Sequence, residues 1–270
     1  MEKNAHFPKA DRISIISAVI LIAYAGMPFI HIPAREIKLS LFNFLIAFQL
    51  NFPILISFIA AVLAAAGTNW LLQDHPALGS KTTLPYLITP TLTAWVLGIP
   101  LSIINVSLEW WVVFGLGGIF TLTVLIAEYI VVDPSDVRFP PAVMLLTALS
   151  FGLFLTLTIA LRTAGLRLYM LLIILLPTYT FFCLRMLYLK EKAKWHFEWT
   201  LVCMVILSQC IIGLHYWPIS PIRFGLILLG PAYSLVSIAK SLIRKIPLRN
   251  AAIEPVIMSG LFWTIAVLLA

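Results

Sequence analysis

The sequence predicts an all-α fold, a polytopic membrane bundle of about nine transmembrane helices. Two features of the composition indicate a membrane protein, since 61% of the 270 residues are hydrophobic and only 11% are charged. A soluble domain usually has about a quarter of its residues charged. Long continuous apolar runs favour helices over barrel strands, which would alternate over about ten residues. We expect residues 1–270 to form a single transmembrane domain.

The spans follow from the length of the apolar runs. A helix needs about 20 apolar residues to cross about 30 Å of hydrocarbon. The polar start, MEKNAHFPKADR, lacks a cleavage pattern of small residues, so the first run is expected to be retained as a span. With turn residues between the runs, the predicted spans cover approximately residues 13–30, 53–73, 83–102, 109–132, 140–161, 166–188, 198–216, 221–243 and 252–270.

The distribution of Lys and Arg predicts the orientation. With a cytoplasmic N-terminus, nine spans place 13 of the 18 basic residues in cytoplasmic segments and 5 outside. Because basic residues accumulate in cytoplasmic loops, we expect a cytoplasmic N-terminus and an outer C-terminus. The net charge of +7 has the same origin, and no folded basic domain is predicted to bind nucleic acid.

Residues 35–53 form an apolar segment interrupted by four polar residues, Lys38, Asn43, Gln49 and Asn51. The segment is too short and too polar for a span, and a crossing would invert the downstream topology and remove the charge bias. We expect a helix in the outer interface or a re-entrant segment over residues 38–50, before span 2. Asn51 is expected to cap span 2, with Pro53 in its first turn.

Small residues and prolines indicate how the spans pack. The stretches AAVLAAAG in span 2 and GLGG in span 4 permit close helix approach. Pro90, Pro177 and Pro231 interrupt predicted spans, and each frees a backbone carbonyl that needs another partner. A kink used for packing is the expected outcome, and a binding site at a broken helix is the alternative.

The stretch IAEYIVVDPSDVRFPP, residues 126–141, places three acids where span 4 leaves the membrane. Asp133 and Asp136 are expected to shape a solvated turn by bonding to the backbone. Glu128 lies about one turn deeper, where an unpaired carboxylate costs a few kcal/mol. Its expected partner is Arg185, at the end of span 6. An ion, proton or ligand site is the functional alternative for this stretch.

Two further segments carry polar residues. The loop LRMLYLKEKAKWHFEW, residues 184–199, holds four cations, which suit a cytoplasmic loop or contact with anionic lipid headgroups. In QCIIGLHYWPISPIRFG, residues 209–225, Gln209 is expected to hydrogen-bond between helices. His215 is expected to be an interfacial hydrogen-bonding residue, with haem or chlorophyll ligation as the alternative, and Arg223 begins span 8.

The sequence predicts no catalytic residue, no metal site and no cofactor. It contains no HExxH, GxSxG or nucleotide-binding glycine-rich loop, and no aspartate pair within one span. The three cysteines, Cys183, Cys203 and Cys210, lack CxxC spacing and are expected to be buried, reduced thiols.

Several stretches resemble an uncharacterised family of bacterial multi-pass membrane proteins. They are GTNWLLQDHP, PYLITPTLTAWVLGIPL, AEYIVVDPSD and HYWPISPIRFGLILL, followed by a late glutamate in IEP. The similarity covers most of the chain from about residue 55. It implies nine spans in a bacterial inner membrane, and it implies no activity and no catalytic residue.

The hypothesis that follows is a small-molecule or lipid transporter, or a ligand-binding membrane subunit. The alternatives are a structural or accessory subunit of a larger membrane complex and a membrane enzyme acting on a lipid-linked substrate. The expected partners are membrane lipids, with anionic headgroups at the cytoplasmic face, and a further copy or another subunit in an oligomer.

Overall fold

A computed structural model describes residues 10–30, 35–41, 44–50, 52–79, 82–190 and 194–269. These residues form ten helices, a short 3-10 turn at Met27–Phe29 and one β-hairpin. In chain order the elements are α1 Ala10–Ala25, β1 Arg35–Leu41, β2 Phe44–Leu50, α2 Phe52–Gln73, α3 Leu84–Ile103, α4 Leu108–Ile130, α5 Phe139–Thr163, α6 Leu168–Lys190, α7 Phe197–His215, α8 Pro221–Ile243, α9 Leu248–Ala251 and α10 Ile253–Leu268.

Nine helical segments of the described chain are long and apolar enough to cross a membrane. They confirm the predicted helical bundle and indicate a multi-pass membrane protein. Their bounds agree with the predicted spans to within a few residues. The ninth, Leu248–Leu268, starts earlier than predicted because the short helix α9 precedes α10. The cytoplasmic N-terminus and the outer C-terminus stay predictions.

A β-hairpin occupies the segment before span 2, where an interfacial helix was expected. The prediction of a helix in this segment is therefore wrong. Strands β1 and β2 pair antiparallel, from Arg35 opposite Leu50 to Leu41 opposite Phe44. The sequence carries the signal, since polar and apolar residues alternate in EIKLSL, residues 36–41, with the period of a strand. Whether the segment is interfacial or re-entrant stays a prediction, and Asn51 lies outside the described residues.

The chain divides into two compact units, Met1–Phe139 and Pro140–Ala270. This division does not test the prediction of a single transmembrane domain. In the first unit, α2 packs most extensively against α3. The small residues expected at helix contacts are there: Ala60 and Ala64 are fully buried, and a β-carbon on Gly67 would lie 2.7 Å from an Ile16 methyl carbon.

Glycine 98 marks the closest approach of α2 and α3. An ideal β-carbon at this position would lie 2.0 Å from Ser57 Oγ and 2.6 Å from Ser57 Cβ. Ser57 itself is buried and donates its hydroxyl to the Pro53 carbonyl at 2.8 Å. Only a residue without a side chain fits there, because neither the Ser57 β-carbon nor the backbone that carries it can rotate away.

Two buried aromatic side chains of the first unit donate hydrogen bonds to backbone carbonyls. Tyr24 is buried and its hydroxyl donates to the Ala94 carbonyl. Trp110, also buried, donates its indole N–H to the Leu101 carbonyl at 3.0 Å. The first bond joins α1 to α3, and the second joins α4 to α3. Buried polar atoms of aromatic side chains usually have such partners, because no water reaches them.

The second unit is built around α8, against which α6, α7, α9 and α10 pack. Helix α10 lies close to α8 at Gly230, where an added β-carbon would lie 3.4 Å from both the Cα and Cβ atoms of Ser259. The Trp263 indole donates to the Ile227 carbonyl at 3.1 Å, and Ser234 shares a hydrogen bond with Ser259 at 2.6 Å. These contacts align α8 and α10 side by side.

Prolines lie inside three spans without ending them. Pro90 lies within α3, Pro177 within α6 and Pro231 within α8, and each helix continues through its proline. Pro90 is itself buried in the core of the first unit. Whether each proline bends its helix for packing, as expected, stays a prediction.

Gly98→Ala should lower the stability of the protein by about 1–3 kcal/mol, because its methyl group would overlap Ser57. The matched control is Gly115→Ala on α4, where an added β-carbon meets no atom within 4 Å. That substitution should be neutral or stabilising by up to about 1 kcal/mol. Thermal unfolding in detergent measures both, and equal effects would contradict the close approach of α2 and α3.

A cysteine added after Ala270, in a background with the native cysteines replaced by serine, should react with an impermeant thiol reagent in intact cells. The reason is that nine spans and a cytoplasmic N-terminus place the C-terminus outside. A cysteine added before Met1 is the matched control and should be labelled only after lysis. The reverse pattern would contradict the orientation.

Candidate functional site

Among the described residues of the first unit, Glu128 is the most buried acid. It lies in the last turn of α4, and none of its surface is exposed. The sequence analysis singled it out because a carboxylate at this depth is costly. Its predicted partner, Arg185, is also completely buried. The two residues belong to different units, and their pairing stays a prediction.

Asp133 shapes the turn that follows α4. Its Oδ1 atom accepts hydrogen bonds from the Ser135 backbone N–H at 2.9 Å and from the Ser135 hydroxyl at 2.6 Å. These bonds hold the pKa of Asp133 below its ordinary value, and His75 acts in the same direction. The ionised Asp133 therefore stabilises the turn fully at pH values above the ordinary carboxyl pKa. This contribution to stability is lost as the pH falls through the lowered pKa of Asp133.

Asp136 is less exposed than the sequence analysis expected. Its carboxylate accepts from Arg138 Nε at 3.1 Å and from Arg138 Nη2 at 2.8 Å, as well as from the Arg138 backbone N–H at 2.8 Å. The Asp136 side chain is only 6% exposed. A two-point bond with Arg138 closes the turn, and it raises the pKa of Arg138.

An ion pair joins α1 to the end of α2. Arg12 Nη2 lies 2.5 Å from Asp74 Oδ2, and Arg12 Nη1 donates to the Trp70 carbonyl at 2.8 Å. The guanidinium also lies over the Trp70 ring, 4.7 Å from its centre. The Asp74 side chain is 45% exposed, so the pair contributes at most about 1 kcal/mol.

His75 lies beside this ion pair and is almost completely buried. Its Nδ1 accepts the Ala77 backbone N–H at 3.1 Å, which leaves the Nε2 atom to carry the ring proton in the neutral form. The imidazole packs edge-on against Tyr129, with 4.4 Å between ring centres. His75 therefore connects the end of α2 to the end of α4.

We call Arg12, Trp70, Asp74, His75 and Tyr129 the unit 1 polar cluster. Its members come from the start of α1, the end of α2 and the end of α4, so all lie at one end of the first unit. Beside it, the Thr83 hydroxyl donates to Asn69 Oδ1 at 2.6 Å and ties the start of α3 to α2. The cluster therefore combines a cation, a carboxylate and an imidazole at one end of the unit.

A second polar group lies at the ends of α5 and α7. Arg162 Nη1 is 3.2 Å from His215 Nδ1, and Arg162 Nη2 donates to the Trp217 carbonyl at 3.3 Å. The guanidinium lies 5.0 Å from the centre of the Phe224 ring. His215 thus takes part in hydrogen bonding near a helix end, as the sequence analysis expected.

The other predicted polar residues are dispersed over the second unit. Gln209 is exposed on α7, and its expected hydrogen bond between helices stays a prediction. Arg223 donates to the Leu269 carbonyl at 3.3 Å. Arg185 lies 5.7 Å from the centre of the Tyr188 ring. Cys183 and Cys203 are buried free thiols, as expected, whereas Cys210 is half-buried, and the Cys203 thiol donates to the Leu235 carbonyl at 3.6 Å.

Sequence reasoning missed four participants: Arg12, Asp74, His75 and Arg162. Asp74 and His75 stand in QDHP, which was interpreted only as a turn, and the arginines were counted only as loop charges. A signal existed, since QDHP and EYIVVDPSD both follow predicted spans that end on the same side. Among the described residues, no group of three His, Cys, Asp or Glu side chains could hold a metal ion.

When each acid is neutralised in turn, the loss of stability should be larger for the more buried acid. Glu128→Gln should destabilise most, by about 3 kcal/mol, because a buried charged group loses its compensation. Asp136→Asn should cost about 1 kcal/mol because it breaks the two-point bond with Arg138. Asp133→Asn should stay within about 0.5 kcal/mol. Thermal unfolding in detergent at pH 7 checks the order, and Asp133→Asn exceeding Glu128→Gln would contradict it.

Comparison with known proteins gives a family without an assigned activity. Residues 32–269 match a family described as Protein of unknown function (DUF5656). No curated protein matches the chain. No solved structure matches it either. Because the match covers most of the sequence, this chain belongs to the DUF5656 family of proteins of unknown function.

Proposed function

We propose that the protein is a transporter of a small molecule or lipid in a bacterial inner membrane, and that the unit 1 polar cluster gates it. The observation that carries the proposal is the ion pair of Arg12 with Asp74, beside the buried His75. Helices can pack through apolar side chains alone, so packing does not explain why ionisable side chains from two spans are in contact. Ionisable side chains of membrane-spanning segments commonly have a function.

The strength of these contacts suits a gate. The Arg12–Asp74 pair is partly exposed and therefore weak, and His75 packs edge-on against the Tyr129 ring. Segments held by a few weak contacts open at low free-energy cost. The tightly packed contact of Gly98 with Ser57 elsewhere in the same unit supplies a rigid frame.

Polar atoms in the interior of the first unit support a ligand path. The hydroxyls of Ser17 on α1 and Thr89 on α3 are buried, and neither has a hydrogen-bond partner among the described residues. A buried polar group without a partner costs about 1–3 kcal/mol. A bound water or a polar ligand would remove this cost. Glu128 adds an ionisable group to the same unit.

The test begins with native mass spectrometry of the purified protein, which identifies lipid or small-molecule ligands that remain bound. Uptake of that ligand is then measured in proteoliposomes. Asp74→Asn and His75→Gln should each lower the initial uptake rate about tenfold, equivalent to about 1.4 kcal/mol, because the gate loses its polar contacts.

The matched control is Glu109→Gln, an exposed acid in the first turn of α4, at the other end of the same unit. It should leave uptake within about twofold, which is below 0.5 kcal/mol. Equal effects of Asp74→Asn and Glu109→Gln would contradict a gate at the cluster. A stoichiometric partner subunit that the protein needs for stability, with no uptake by the protein alone, would favour the accessory-subunit alternative.

A further inference from the structure

Four cations are concentrated where α8 ends and α9 begins. Arg244, Lys245 and Arg249 are exposed, and Lys240 in the last turn of α8 is half-buried. We call these four residues the α8–α9 basic corner. The polypeptide turns sharply here, since α8 ends at Ile243 and the four-residue helix α9, which packs on α8, begins at Leu248.

Lys245 adopts an unusual backbone conformation at this corner. Its φ is +58°, and it is the only residue other than glycine with a positive φ in the described part of the chain. Its N–H donates to the Leu242 carbonyl at 2.9 Å, and the Ile246 N–H donates to the Ser241 carbonyl at 3.0 Å. This pair of bonds is the Schellman motif that ends many helices, and glycine is the usual residue at the position of Lys245.

A lysine at this position lowers stability relative to glycine, because its β-carbon is crowded in the left-handed conformation. The orientation rule for membrane proteins explains cations in the loop as a whole. It does not explain why a cation occupies the one position where glycine would be more stable. An observed backbone outlier of this kind points to a role for the side chain.

Charge around the corner favours an anionic ligand. The sequence contains no Asp or Glu from residue 199 to residue 253. The next acid, Glu254, accepts a hydrogen bond from the Tyr233 hydroxyl. The four cations therefore have only one acid close to them in the sequence, and clustered Lys and Arg side chains bind phosphate groups.

Apolar side chains beside the cations favour a lipid over a free anion. Ile246 is 37% exposed and Leu248 is 64% exposed, and both lie between Lys245 and Arg249 in the sequence. Ile253, at the start of α10, is exposed as well. A ligand with a phosphate headgroup and an acyl chain would contact both kinds of side chain, whereas inorganic phosphate would contact the cations alone.

We propose that the α8–α9 basic corner is a binding site for the phosphate headgroup of an anionic phospholipid, with Lys245 and Arg249 as its principal cations. The proposal is independent of the transport function, because the site lies in the second unit and uses none of the unit 1 polar cluster.

The decisive variant is Lys245→Gly, which should make the lipid-free protein more stable and at the same time weaken its binding of lipid. Without added lipid, the melting temperature should rise, because glycine relieves the left-handed backbone. The dissociation constant for phosphatidylglycerol, measured by native mass spectrometry, should increase about fivefold, as expected for the loss of one cation near the surface. A lysine with only a structural role would not produce this combination.

A second variant and a control complete the experiment. Arg249→Gln should weaken phosphatidylglycerol binding about fivefold. Arg167→Gln removes an exposed arginine just before α6, outside the corner, and should leave binding unchanged. Phosphatidylcholine and inorganic phosphate serve as comparison ligands, and both should bind more weakly than phosphatidylglycerol.

Three results would overturn the proposal. Unchanged phosphatidylglycerol affinity in Lys245→Gly and Arg249→Gln would place the lipid elsewhere. Inorganic phosphate binding as tightly as phosphatidylglycerol would identify a free anion as the ligand. A lower melting temperature for lipid-free Lys245→Gly would show that the lysine side chain itself stabilises the corner and that the backbone argument is wrong.

Discussion

The absence of water from the hydrocarbon is the constraint on which the structure depends. A backbone N–H or carbonyl without a partner costs several kcal/mol there, so the spanning segments must be helices that satisfy themselves. Several buried hydroxyl side chains satisfy the same constraint. Thr68 donates to the Ala64 carbonyl, Thr121 to the Gly117 carbonyl and Thr158 to the Phe154 carbonyl, each at 2.7–2.9 Å. In every case the partner lies one turn earlier in the same helix.

The same constraint explains where charge is found. Arg12 and Arg162 both lie near helix ends, and each places its guanidinium over an aromatic ring while its N–H groups meet a backbone carbonyl. A flat, weakly hydrated cation is suited to such a boundary because the ring compensates part of the lost hydration. Glu128 differs from these residues, since it is an acid with no exposed surface inside a span.

Tight packing and polar contacts therefore occupy different places in the first unit. At Gly98 the backbone of α3 lies so close to Ser57 of α2 that an added β-carbon would overlap the Ser57 side chain. The unit 1 polar cluster lies at a helix end and is held by an ion pair that is partly exposed to solvent. In the proposed transporter, this separation would let one end of the unit move while α2 and α3 keep their relative position.

Packing contacts and exposed charge are also separated in the second unit. Its helices meet at small residues such as Gly230, and its exposed cations gather at the α8–α9 basic corner. Lys245 keeps a conformation that a lysine tolerates poorly. The cost is local and small compared with the packing of α8, so a residue chosen for its charge can be retained at that position without loss of the fold.

The sequence by itself determined the spans, because apolar length and turn chemistry are local properties that each helix satisfies alone. It also indicated the burial of Glu128 and the turn formed by Asp133 and Ser135, whose bonds join near neighbours. Only the tertiary structure decided that β1 pairs with β2, since strand pairing depends on a partner segment. It alone brought Arg12 to Asp74 and His75 to Tyr129. These contacts depend on which helices pack together and on how far each helix is shifted along its neighbour. A helix that is apolar on every side carries little information in its sequence about either.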